Sequence, residues 1–366
     1  MGRDGVKRGP VAPAEEAPAR IHAQVAEYYG RVLSRSEDLK TSACCAAGPP
    51  PPHLAARLGR IHEAVQARFY GCGFPLPEAL EGATVVDLGC GSGRDVYLAA
   101  QLVGEGGFVH GVDMTEAQLE VARETLPWHM ERFGYARPNV AFHQAYIEDL
   151  SALPIEPGSV DVVISNCVFN LSPRKDLVLA ECHRLLAEGG ELYFSDVFCD
   201  RRLPEAVRND PELYGECLGG AMYVHDFFDL ARATAFLDPR IVARAPIEIG
   251  DPALAARVGP ARFQSLTLRL FKIPGLEPRC EDYGQIAIYR GGLEEAPARF
   301  RLDDHHLFEV GRPERVCGNT AAMLSQTRLG RYFEVHGDTS THFGLFSCAP
   351  AASDPPSAGE AGGPCC

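Results

Sequence analysis

Asp87-Leu-Gly-Cys-Gly-Ser-Gly-Arg-Asp95 is the stretch whose reading decides the fold. It begins inside an apolar run at 84–88 that reads as a buried strand, and it opens a helical pattern at 94–103. Glycines at 89, 91 and 93 let the backbone take positive φ and let a ligand approach where a side chain would intrude. Further strands are predicted at 107–112, 139–143, 160–165 and 190–198, with helices at 115–134 and 174–187. Strands alternating with helices of this length predict a doubly wound α/β domain, a mostly parallel sheet with helices on both faces.

On either side the pattern changes. Residues 1–20 are rich in Pro, Ala and charge and are expected to be disordered. An N-terminal helical extension over 21–73 follows, with helices at Ile21–Leu39 and Leu54–Tyr70 around a breaker stretch, and it carries Cys44 and Cys72. The cofactor-binding domain is assigned to 74–200. Beyond it, helices at 204–220 and 225–236 and extended segments at 239–249 and 261–272 predict a smaller α+β module over 201–282. A C-terminal domain is assigned to 283–348, opening on an extended segment at 283–290, and a flexible tail to 349–366, ending in Cys365-Cys366.

Composition narrows the function classes. A formal net charge of −14 argues against nucleic acid, because phosphate binding needs clustered Lys and Arg. No window approaches the roughly 18 apolar residues of a membrane span, and the N-terminus lacks the apolar core of a secretory signal. The expected compartment is the cytoplasm, with no membrane partner. A reducing compartment leaves the 13 cysteines as thiols. No Cys-x₂₋₄-Cys or His-x₃-His pair is present, so neither a zinc site nor a thioredoxin-like redox motif is expected, and no metal cofactor is assigned. Nothing in the pattern demands a dimer, and a monomer is expected.

The spacing Gly89-x-Gly91-x-Gly93 differs from the dinucleotide fingerprint, which seats a pyrophosphate on a helix N-terminus. It fits a nucleoside cofactor without a pyrophosphate, S-adenosylmethionine. Asp113 ends the second strand, where its carboxylate can accept both ribose hydroxyls; a helix N-cap before Thr115 is the competing reading. Ile147 and Glu148 follow the third strand, where adenine would meet an apolar residue and an acidic acceptor. The cofactor-binding set is therefore Asp87, Gly89, Gly91, Gly93, Asp113, Met114, Ile147, Glu148 and Asn166.

Most free cysteines are small buried hydrophobes, and Cys90, Cys182, Cys199, Cys280, Cys317 and Cys348 are read that way. Four stand in different surroundings. Cys44 lies in the breaker-rich loop, and Cys72 is flanked by glycines. Cys167 closes the fourth strand, which in this fold points at the cofactor's reactive end, and Cys217 ends a helix beside further glycines.

With these residues laid out, the chain resembles the S-adenosylmethionine-dependent arsenite methyltransferase family. The resemblance runs from about Val25 to Gly292. It is carried by Glu27-Tyr-Tyr-Gly-Arg-Val-Leu33, Phe69-Tyr-Gly-Cys-Gly73, the glycine loop, Gly111-Val-Asp-Met-Thr115 and Gly190-Glu-Leu-Tyr-Phe-Ser-Asp196. Ser165-Asn-Cys-Val-Phe-Asn-Leu171 and Gly215-Glu-Cys-Leu-Gly-Gly-Ala221, in this order, are its most specific parts. The resemblance implies a class I methyltransferase sheet and makes 201–282 the arsenic-binding module. It also implies trivalent arsenic held by Cys167 and Cys217 with Cys44 as third thiolate, and Cys72 closing a disulfide with Cys44 after transfer. Cys45 doubles the first position. The implied partners are glutathione- or thiol-conjugated arsenic and a thiol reductant, thioredoxin or glutathione. Soft trivalent arsenic prefers thiolates over oxygen or nitrogen, and its lone pair can attack a sulfonium methyl without a general base. Two other readings compete: a methyltransferase of small organic molecules, indifferent to Cys167 and Cys217, and a non-catalytic arsenic-binding protein.

Overall fold

A computed structural model describes Ile21, His22, Val25 and residues 49–347. Ile21, His22 and Val25 are helical; the remainder of the predicted helix at 21–39, together with Cys44, Cys45, Cys348, Cys365 and Cys366, lies outside the described residues.

Helices α1 (Pro52–Leu58) and α2 (Glu63–Gln66) precede β1 (Thr84–Leu88), α3 (Arg94–Val103), β2 (Phe108–Asp113), α4 (Glu116–Phe133) and β3 (Val140–Gln144). Then come β4 (Val160–Asn166), α5 (Lys175–Leu185) and β5 (Leu186–Cys199). The next stretch holds α6 (Glu205–Arg208), α7 (Pro211–Gly215), β6 (Met222–Tyr223), α8 (Val224–Ala233), β7 (Arg240–Ile247), α9 (Pro252–Val258) and β8 (Phe263–Phe271). The chain continues through β9 (Ile286–Tyr289), β10 (Arg299–Arg301), β11 (Leu307–Glu309), β12 (Pro313–Arg315), α10 (Gly318–Ser325) and β13 (Phe333–His336).

The main sheet has the order β3-β2-β1-β4-β5-β8-β7. β1 to β5 run parallel, β8 is antiparallel to both β5 and β7, and β6 lies parallel beside the end of β5. Consecutive strand residues point to opposite faces, and here both faces are covered. Val86, Leu88, Val163, Leu192 and Phe194 pack with Val178, Leu179 and Cys182 of α5 and with Phe227 and Ala231 of α8. Val85, Val162 and Ile164 pack with Val96, Tyr97 and Ala100 of α3 and with Leu119 of α4. That is why these strands read as unbroken apolar runs. Each such side chain contributes about 1.5–3 kcal/mol on burial.

The structure departs from the sequence reading in three places. The segment at 54–70 is two short helices, interrupted at Gly59 and Arg60. The single helix expected at 204–220 is α6 and α7; Asp210 ends the run by capping α7, its carboxylate accepting from Glu212 N and Leu213 N, with Pro211 at the first turn. The strands of 201–282 form no sheet of their own. β7 and β8 complete the main sheet, because an antiparallel hairpin can add to the β5 edge without a crossover.

The C-terminal unit, whose β12, β9 and β13 form a small antiparallel sheet, docks through buried charge. Glu191 of β5 is fully buried and paired with Arg269 of β8 at 2.8 Å and with Arg328, which follows α10. Burial opposes its charge, yet Arg269 and then Arg328 hold the carboxyl below the ordinary carboxylate range. Arg328 also donates to the Glu78 carbonyl at 2.9 and 3.0 Å. Removing one member of such a network strands the others in a water-poor site. Glu191→Ala is therefore expected to destabilise the protein by about 3–5 kcal/mol in denaturant unfolding. A loss within about 0.5 kcal/mol, the usual effect of an ordinary surface change, would show that the network is not what docks the unit.

Candidate active site

The turn after β1 takes its shape from glycine. Gly89, Gly91 and Gly93 have φ of +72°, +53° and +91°, the left-handed region that side chains disfavour. A Cβ on Gly89 would come within 2.3 Å of Val168, whereas one on Gly91 would meet open space. Gly93 is the N-cap of α3. The loop thus exposes backbone to a cavity of about 960 Å³, counting its solvent-open mouth.

Acidic groups surround that cavity. Asp113 accepts from Gly91 N at 2.9 Å and from Thr115 N at 2.8 Å, so it braces the glycine turn as well as the start of α4. Burial raises its pKa against the hydrogen bonds that lower it. Asp87 is 2% exposed, and its Oδ2 has no hydrogen-bond partner among the described residues. Burial, reinforced by Asp95 and Asp113, pushes its pKa well up. An orphaned buried acceptor beside two further carboxylates is a site built for a hydroxyl donor and a positive charge. S-adenosylmethionine brings ribose hydroxyls, an ammonium and a sulfonium, and the residues present fit it.

Met114, Ile147 and Glu148 also line the cavity. Glu148 Oε1 accepts from Ser172 Oγ at 2.5 Å and pairs with His22 Nε2 at 3.0 Å. The His22 ring stacks on Tyr146 with centroids 4.4 Å apart. His22, Tyr146 and Ser172 were not legible as site residues. Their partners lie far away in sequence, and no local motif marks them.

At the end of β4 the cofactor cavity meets the cysteines. Asn166, assigned to the cofactor from sequence, lines the cavity, but its amide is committed elsewhere. Its Oδ1 accepts from Cys72 N at 2.9 Å and Gly73 N at 3.2 Å, while Nδ2 donates to Gly73 O at 2.9 Å and Asp95 Oδ2 at 2.8 Å. A Cβ at Gly73 would strike Ser195 at 2.6 Å, so the loop lies tight against β5. Arg94 closes the same corner, hydrogen-bonded to Asp95 at 2.9 Å and lying 3.0 Å over the Phe69 ring.

That clamp sets Cys72 against Cys167, and the two form a disulfide with Cα atoms 5.9 Å apart. The resemblance gives Cys72 a disulfide with Cys44 after methyl transfer, and Cys44 lies outside the described residues. In the structure Cys72 is paired with Cys167, because Asn166 carries the Cys72 backbone to the residue next to itself. Cys167 lines the cavity, and Cys217 donates toward the Cys167 carbonyl at 3.6 Å. Both are buried, and both have positive φ, +59° and +61°. Non-glycine residues held in that region cost about 1–3 kcal/mol each and cluster at functional sites. Gly220 permits the close return of the chain after Cys217, since a Cβ there would lie 1.9 Å from the Asn170 carbonyl.

Behind the cysteines lies a buried polar group that the sequence reading did not single out. Asp196 accepts from Val197 N at 2.7 Å and Asn170 N at 3.1 Å, and burial pushes its pKa up to about 7. Lys175 donates to Ser172 O at 2.9 Å; burial lowers its pKa to about 8 while Asp196, Glu148 and Cys217 draw it back. Among the described residues no group of three or more His, Cys, Asp or Glu is placed to hold a metal ion, and no helix is long and apolar enough to cross a membrane.

Comparison with known proteins agrees with this architecture. A methyltransferase domain model matches residues 79–244, and an arsenite methyltransferase C-terminal domain model matches residues 283–355. The arsenite methyltransferase of Aquipseudomonas alcaligenes is 56% identical over 326 residues, 89% of this chain and 94% of its own. The arsenite methyltransferase of Homo sapiens is 44% identical over 318 residues, 86% of this chain and 84% of its own. An arsenic(III) S-adenosylmethionine methyltransferase from Chlamydomonas reinhardtii, solved by crystallography, superposes with a TM-score of 0.79 at 50% identity, covering 81% of this chain and 99% of that one. A cavity fitted to a cationic nucleoside, opening on strained cysteines, therefore stands in a chain that belongs to the S-adenosylmethionine-dependent arsenite methyltransferase family.

Proposed function

We propose that the chain methylates trivalent arsenic held by Cys167 and Cys217, with Cys44 as third thiolate. The observation that carries this reading is the placement of Cys167 on the cofactor cavity itself, with the Cys217 thiol 3.6 Å from its carbonyl. S-adenosylmethionine supplies an electrophilic methyl group, which the arsenic lone pair takes as a neutral thioether leaves. The chain's own residues do the rest. Asp87 and Asp113 hold the cofactor's polar groups, the glycine loop lets it approach, and the left-handed turns at Cys167 and Cys217 bring the Cys217 thiol to 3.6 Å from the Cys167 carbonyl. Positioning of this kind can supply roughly 7–11 kcal/mol.

The Cys72–Cys167 disulfide is the oxidised form of the site. Closing it releases two electrons, the number needed to return arsenic to the trivalent state after its lone pair has been used. A thiol reductant then opens it by exchange, leaving both cysteines as thiols: thioredoxin takes up the disulfide in its own dithiol, or two glutathiones leave as one glutathione disulfide. We place the reaction in the cytoplasm, where those reductants are available, and assign the working form as a monomer.

With S-adenosylmethionine, arsenite and a thiol reductant, Cys167→Ser and Cys217→Ser are expected to lose at least about 100-fold in methyl transfer. Even partners that only orient a metal ligand cost 10–100-fold when removed. Cofactor affinity should be retained in both variants. Full activity in either, resolved by arsenic speciation, would remove that cysteine from the ligand set.

Cofactor binding should depend on pH. Burial makes Asp87 and Asp113 hold protons to higher pH when the site is empty, and a bound cation favours their ionised forms. Binding therefore expels protons, so affinity should rise with pH across the acidic range and level off once both are ionised. Calorimetric titration should show a shallower slope for S-adenosylhomocysteine, which lacks the sulfonium charge. Equal slopes for the two ligands would contradict the electrostatic account.

A further inference from the structure

A second pair of cysteines goes unused by the methyl-transfer site. Cys280, between β8 and β9, and Cys317, just before α10, lie far apart in sequence, yet the fold brings them together, close enough that each thiol is the largest influence on the other. Cys317 is fully buried and caps α10, its sulfur accepting from Thr320 N at 3.4 Å and lying 3.2 Å from Thr320 Oγ1. Arg240 Nη2 donates to the same sulfur at 3.8 Å. Cys280 is only partly buried. Backbone bonds fix the pair in place, from Gly318 N to Glu281 O at 2.9 Å and from Phe346 N to Cys280 O at 2.8 Å.

These surroundings are not those of a packing cysteine. Cys182 shows the contrast: it lies among Val178, Leu179 and Leu185, and burial pushes its pKa up. Cys317 is equally buried, but the hydrogen bond from Cys280, with Arg240 and Thr320 behind it, lowers its pKa against that burial. A thiolate held beside a second, only partly buried cysteine is arranged to close on a soft atom.

We propose that Cys280 and Cys317 form a second thiolate site, in the C-terminal unit, which captures a monosubstituted trivalent arsenical. Such a molecule carries two exchangeable oxygens and so matches two sulfurs. Two As–S bonds form and two As–O bonds break, the Cys280 proton and one from solvent leaving with the oxygens as water while arsenic stays trivalent. The product of a first methylation belongs to this class, so the site would hold the intermediate of the reaction proposed above. The choice of ligand rests on that reading; the existence of the dithiol does not.

The test uses the full chain with Cys348, Cys365 and Cys366 changed to Ser, reduced with a phosphine and freed of it. Phenylarsine oxide is the probe, bound arsenic per chain is counted by native mass spectrometry, and thiols left open are mapped by alkylation. Two arsenicals are expected in this parent, with Cys280 protected from alkylation. Cys280→Ser and Cys317→Ser should each bind one fewer and leave the first methyl transfer to arsenite unchanged. Serine is a favoured helix N-cap, so Cys317→Ser is expected to fold. A parent that binds one arsenical, lost in neither variant, would overturn the proposal, as would protection of Cys280 that survives in Cys317→Ser. One arsenical in the parent, lost in both variants, would support the second site and count against Cys167 and Cys217 instead.

Discussion

The side chain of Asn166 is the contact on which the site depends. One amide at the end of β4 holds both N–H groups of Cys72 and Gly73, returns a donor to the Gly73 carbonyl and reaches Asp95 of α3. It thereby joins the segment before the sheet, the central strand and the first cofactor helix. A buried polar network of this kind is favourable only when fully satisfied, and this amide uses both its ends. With that clamp set, the next residue has little choice. Cys167 turns left-handed, its N–H stays on the Ser195 carbonyl at 2.8 Å, and its sulfur faces Cys72.

Electrostatics and softness divide the labour around that corner. On the cofactor side, Asp87, Asp95 and Asp113 crowd negative charge into a buried space, which a cationic nucleoside relieves. Around Cys167 and Cys217 the groups are soft sulfurs, with Lys175 and Asp196 each driven by burial toward its neutral form. In the proposed reaction the donor and acceptor of the methyl group would be selected by different chemistry, charge for one and thiophilicity for the other. No strong base is called for at the point where they meet.

Much of this was legible in the sequence because it is local. The runs at 84–88 and 94–103 coincide with β1 and α3, and the glycines at 89, 91 and 93 take the positive φ their spacing required. Asp113 shows the local part of its reading, since its carboxylate braces the start of α4 as well as the glycine loop. What sequence could not carry is long-range pairing. Nothing near Cys72 announces Cys167, nothing near Glu148 announces His22, and nothing near Cys280 announces Cys317. The hairpin of β7 and β8 was misassigned to a separate module for the same reason, because edge addition to a sheet leaves no mark on the added strands. The break before α7 has another cause: Asp210-Pro211 is a start signal for a helix that lies inside a longer helical pattern.

The central claim is that arsenic sits on sulfur beside the cofactor's methyl. X-ray absorption at the arsenic edge tests it most directly, on reduced protein loaded with arsenite and S-adenosylhomocysteine so that no turnover occurs. The account predicts a first shell of sulfur alone, with one sulfur replaced by oxygen in Cys217→Ser. A first shell that contains oxygen in the unaltered protein, or that does not change in the variant, would contradict it.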